Sequence, residues 1–155
     1  MKLKTNTLIY MLVLFFITIF FNVYFGFAVN LTNSLPYKLF LIDKLSTPSV
    51  GDYISFKAPF DLGFPENTIV TKKILAGPGE IVTKKGLNFY INHKWVSKAK
   101  EYSHEGEALI SGPEGILKQG QYYVGAPHVD SLDSRYQKMG WINREQIIAV
   151  AYPIF

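Results

Sequence analysis

The stretch Thr68–Leu75 reads TIVTKKIL, and its interpretation decides the fold. Five of its eight residues are β-branched, the type whose stiff χ1 suits a pleated strand better than a helix. Alternation along a strand places Lys72 on one face with Val70, Ile74 and Ala76, and Lys73 on the other with Ile69, Thr71 and Leu75. The Lys72 face is the more uniformly apolar. An amine held there loses hydration, which favours the neutral form. A neutral amine can take a proton from a hydroxyl, and an ammonium cannot. The plainer reading is a pair of solvated lysines that blunt an edge strand.

Working outward, the chain keeps the same texture. Tyr37–Ile42, Asp52–Phe56, Leu87–Ile91, Lys94–Val96, Gln121–Val124 and Gln146–Tyr152 read as further short strands. Gly and Pro punctuate the gaps, at Pro48–Gly51, Gly77-Pro78-Gly79, Gly112-Pro113 and Gly125–Pro127. Asn92-His93 looks like a tight hairpin turn. One-turn helices are expected around Pro36 and over Leu132–Tyr136. Beyond residue 29 no stretch keeps a helical period for three turns. The predicted fold class is therefore mainly β.

The N-terminal part differs. Leu8–Ala28 holds 21 residues without a charge, and about 20 suffice for a helix to cross a bilayer. Lys2 and Lys4 precede it, and no charge follows until Lys38. The positive-inside rule puts the N-terminus in the cytoplasm and residues 30–155 outside. A cleaved signal peptide is the rival reading, but its apolar core is usually shorter. The expected organisation is residues 1–29 as cytoplasmic N-terminus and transmembrane anchor, and residues 30–155 as one exported domain.

Composition narrows the function. The 155 residues contain no cysteine, which excludes a cysteine nucleophile, a disulfide framework and a thiolate metal site. The net charge is +4, but residues 30–155 hold 14 basic and 12 acidic side chains, scattered. No nucleic-acid partner is expected, since phosphate backbones select a clustered basic face. His93, His104 and His128 lack ligand spacing, so no metal and no cofactor is expected. His128, Asp130 and Ser131 lie too close in sequence to converge as a relay.

Two polar clusters remain beside Lys72. Asn30–Pro36, NLTNSLP, packs hydroxyls and amides just past the apolar run. A nucleophile there would meet membrane-tethered substrates; the plainer reading is a polar linker. Asp130–Tyr136, DSLDSRY, offers an Asp133–Arg135 pair able to fix a loop; the plainer reading is a polar turn.

In this order, the clusters make the chain resemble the type I signal peptidase superfamily of membrane-bound serine–lysine proteases. NLTNSLP resembles the N-x-T-x-S-x-P box of the TraF-like conjugative-transfer branch. Gly51-Asp52 resembles a Gly-Asp that precedes a strand, and Lys72–Glu80, KKILAGPGE, resembles the lysine box. LNFYINHKWV resembles the family hairpin, and GQYYVG with SLDSRY the C-terminal box. The family's Gly-Asp-Asn is here Gly125-Ala126-Pro127, and a glycine of the serine box is here Lys38.

The resemblance implies a signal-peptidase-like β-rich catalytic domain behind one transmembrane helix, at the bacterial inner membrane with its catalytic part on the periplasmic side. It implies Ser34 as nucleophile, Lys72 as general base, and Thr32 with the Ser34 N–H as oxyanion hole. It implies Ser131 as the hydroxyl that orients the lysine, supported by Asp133 and Arg135. The implied partners are the lipid bilayer and an exported, pilin-like precursor, cut or cyclised during conjugative transfer. A general signal peptidase is the second reading, and a non-enzymatic anchored assembly factor the third.

Overall fold

The computed structural model describes residues 5–59, 65 and 67–155. Lys2 and Lys4, which orient the anchor in the sequence reading, lie outside the described residues. Helix α1 spans Thr5–Tyr24, 20 residues and so about 30 Å long. Its apolar side chains from Leu8 to Tyr24 are exposed all round. Such a helix suits a bilayer, because every backbone bond is satisfied within the segment. Its polar residues are also turned inward on themselves. Thr18 Oγ1 donates to Leu14 O at 2.9 Å, and Asn22 Nδ2 to Thr18 O at 2.8 Å.

The helix stops four residues short of Ala28, where the uncharged run ends. Phe25–Val29 instead form strand β1, antiparallel to β2 (Leu39–Asp43), with Phe25 opposite Asp43 and Val29 opposite Leu39. FGFAV alternates large and small residues and carries a glycine, which favours leaving the helix. The expected strands are all present with shifted ends: β3 (Tyr53–Lys57), β4 (Ile69–Ala76), β6 (Asn88–Ile91), β7 (Lys94–Lys98), β9 (Gln121–Gly125) and β11 (Ile147–Pro153). Sequence reading missed β1, β5 (Ile81–Lys85) and the two-residue strands β8 (Gly115–Ile116) and β10 (Ile142–Asn143). The one-turn helices expected at Pro36 and Leu132–Tyr136 are bends and turns, and the single short 3-10 turn among the described residues is Arg144–Gln146.

Two sheets result. The larger runs β1-β2-β11-β3-β4-β9-β10 and the smaller β7-β6-β5-β8. In the smaller sheet Asn92 and His93 take φ of 49° and 67°, the twist of a type I′ hairpin turn. Ile54, Phe56, Ile74, Val124 and Ile142 form one buried core on the large sheet. Val82, Phe89, Ile91, Leu117 and Tyr123 form a second core, reaching the small sheet. A third, smaller cluster of Leu35, Phe40 and Ala151 pins the loop after β1.

Candidate active site

The loop between β1 and β2 carries Thr32 and Ser34. It has no regular structure, so side chains satisfy its backbone. Leu35, 2% exposed, plugs the third core cluster and fixes the residue beside Ser34. The Asn30 N–H donates to Lys38 O at 2.8 Å, closing the loop's base. Asn30 Nδ2 donates to Tyr37 O at 3.0 Å and Leu35 O at 3.4 Å, and Oδ1 accepts the Thr32 N–H at 3.1 Å. Thr32 Oγ1 lies 2.9 Å from both Asn30 Oδ1 and Ser34 Oγ. Lys38, where the family pattern has glycine, donates through Nζ to Asn33 Oδ1 at 3.1 Å.

Lys72 sits mid-strand in β4, opposite Ile54 of β3. The alternation read from the sequence holds: Lys72, Ile74 and Ala76 are buried, and their neighbours are not. Lys73 takes the other face, its Nζ 5.7 Å from the centre of the Tyr53 ring. Lys72 is 6% exposed. Burial pushes its pKa down to about 8; the Asp133 carboxylate works against that shift and the Arg135 guanidinium adds to it. Its Nζ donates to Ser131 Oγ at 2.8 Å.

Ser131 is held by a buried ion pair two residues on. Arg135 Nε and Nη2 meet the two Asp133 oxygens at 2.8 and 2.9 Å, a forked geometry. Asp133 is 0% exposed and Arg135 4%. Arg135 Nη2 also donates to Ser131 O at 3.0 Å and His128 O at 3.1 Å, so the guanidinium gathers the loop around itself. Asp133 Oδ2 accepts the Ala126 N–H at 3.2 Å, tying down the turn that departs from Gly-Asp-Asn. Ser134, given no part in the sequence reading, is fully buried, and its Oγ accepts the Val124 N–H at 2.9 Å. The serine-rich spelling of SLDSRY was the available signal.

One cavity of about 540 Å³ joins these parts: Thr32, Ser34, Lys72 and Ser131 line it, with Val29, Ile69 and Leu132 as apolar wall. Among the described residues no hydrogen bond links Ser34 to Lys72; the two share the cavity, each bonded to a neighbouring hydroxyl. Asp133 and Arg135 stand behind the wall. His128 Nδ1 accepts the Asp130 N–H at 3.2 Å while Ser131 is engaged by Lys72, so these three form no relay. Asp130 is instead bound to Lys100 and His104, and those bonds hold its carboxyl at about 2.

No curated protein matches the sequence. Among solved structures, a signal peptidase I from Enterococcus faecalis V583 is 23% identical, covers 68% of this chain and 97% of its own, and superposes with a TM-score of 0.44. The family model described as "Signal peptidase, peptidase S26" matches residues 2–155. With nearly the whole chain matched, the protein belongs to the S26 signal peptidase family of serine peptidases.

Proposed function

We propose that the chain is a membrane-anchored serine endopeptidase with a Ser34/Lys72 dyad that matures exported precursor proteins. One observation carries this reading. A buried lysine amine, pushed down to about 8, opens on the same cavity as a hydroxyl. That hydroxyl is fixed by a core-plugged loop just beyond an apolar helix.

In this reading Ser34 Oγ attacks the carbonyl carbon of a peptide bond that follows small residues. Its proton passes to neutral Lys72 Nζ as the Oγ–C bond forms. The carbonyl oxygen becomes an oxyanion that takes hydrogen bonds from Thr32 Oγ1 and the Ser34 N–H. Lys72 then returns the proton to the leaving amine as the C–N bond breaks, leaving an acyl-enzyme. Water, or an amine terminus of the substrate itself, releases the product. Ser131 keeps the amine aimed, and Asp133 with Arg135 keeps Ser131 in place. The helix Thr5–Tyr24 serves as the membrane anchor, with residues 30–155 outside the cytoplasm.

The N-x-T-x-S spelling favours a pilin-like precursor of a conjugative apparatus over a broad range of secreted proteins. Co-expression of the chain with a candidate pilin precursor tests this, with product termini read by intact-mass spectrometry. Ser34→Ala and Lys72→Ala are each expected to lower cleavage by about 10³-fold or more. Normal maturation in both variants would overturn the peptidase dyad. Cleavage of unrelated secretory precursors but not of pilin would move the substrate to the general signal-peptidase class.

A further inference from the structure

We propose that Asn30 is a positioning residue that aims the Ser34 and Thr32 hydroxyls before substrate arrives; the proposal rests on the roles just given to Ser34 and Thr32. The two ends of the Asn30 amide are identified by their partners. The carbonyls of Leu35 and Tyr37 only accept, so Nδ2 faces them, and the Thr32 N–H only donates, so Oδ1 faces it. Oδ1 therefore carries no hydrogen, and at 2.9 Å from Thr32 Oγ1 it is the acceptor of that hydroxyl's single proton. Thr32 then has nothing left to donate to Ser34. Across their 2.9 Å contact Ser34 is the donor.

The resting site is thus a directed chain from Ser34 to Thr32 to Asn30. The nucleophile's proton points away from Lys72, whose own amine is bonded to Ser131. Reaction requires two hydroxyl rotations and release of the Ser34 N–H, which at rest donates to Thr32 Oγ1 at 3.4 Å. The Thr32 proton turns from Asn30 to the developing oxyanion, and the Ser34 proton turns to Lys72. Asn30 keeps its hold on the Thr32 N–H and on the Leu35 and Tyr37 carbonyls throughout. Both oxygens therefore stay in place while their protons move.

The test is a double-mutant cycle on the detergent-solubilised full chain, with a synthetic peptide carrying small residues before the scissile bond. Asn30→Ala is expected to lower kcat by about tenfold to a hundredfold and to change KM by less than about threefold. In a Thr32→Ala background the same change is expected to cost less than about threefold, because the group it acts through is gone. Asn30→Asp, which keeps only the acceptor side, is expected to retain more of kcat than Asn30→Ala. Equal losses in both backgrounds, or a loss confined to KM, would overturn the proposal. So would failure of both Asn30 variants to fold by circular dichroism, which would assign the residue to the scaffold alone. Ser34→Ala runs alongside. Undiminished cleavage there would remove the dyad itself, whereas an inactive Ser34→Ala with an additive cycle would remove only the role of Asn30.

Discussion

Lys72 is held where its charge is unwelcome. In the unfolded chain the amine keeps its proton to about 10.5; in the folded protein it lets go near 8. Below 8 the core must therefore hold an ammonium that the unfolded chain hydrates freely. The penalty is fully present there, on the order of 3 kcal/mol, and it fades as pH rises from about 8 to about 10.5. Lys72→Met is accordingly expected to abolish cleavage yet raise the thermal midpoint at pH 7, with the advantage shrinking toward pH 10. Activity should follow the same titration with the opposite use. The kcat/KM of the unaltered chain is expected to climb about tenfold per pH unit below 8 and flatten above about 9. A flat profile across that range would exclude a titrating amine base. Lys72 was legible in the sequence because strand alternation sorted it from Lys73. The route of the Ser34 proton was not, because it depends on which oxygen of the Asn30–Thr32–Ser34 string lacks a hydrogen.

At the scale of elements, the loop after β9 does the most with the least regular structure. Its backbone is satisfied by its own side chains: Ser134 pairs with Val124, and Asp133 and Arg135 hold the turns on either side. The one-turn helix expected over Leu132–Tyr136 is accordingly a set of bends and turns. Pattern reading sees which face is apolar, and it does not see side chains standing in for a ladder. Arg135→Ala leaves the fully buried Asp133 carboxylate without its partner. A loss of about 3–5 kcal/mol is expected in urea unfolding, together with loss of Ser131 alignment. Gly112 braces the same loop from outside. Its N–H donates to Arg135 O at 2.7 Å, and a Cβ at this position would sit 2.2 Å from Ser134 O. Gly112→Ala is expected to cost about 1–3 kcal/mol, since a backbone carbonyl cannot step aside as a side chain would. The short strands β8 and β10 escaped the sequence reading for a related reason. Two residues show no alternation, and only their partners Ile81, Val82, Gln121 and Tyr122 make them strands.

For the whole molecule, the apolar helix and the β-rich domain divide the work. The helix is unburied along its length and passes directly into β1. A chain lacking residues 1–24 is expected to unfold within about 1 kcal/mol of the full chain. Its cleavage of a soluble peptide should hold. Its cleavage of a bilayer-embedded precursor should fall by about tenfold or more, as shared anchoring no longer concentrates the pair. The order of strands in the large sheet carries one more consequence. Strand β11 is wedged between β2 and β3, and its Ala151 packs against Leu35 and Phe40 beneath Ser34. Along the chain β2 and β3 come well before β11, so the slot between them is closed by a segment distant in sequence. Docking of β11 is what gives the loop carrying Ser34 its floor, because Ala151 completes the cluster with Leu35 and Phe40.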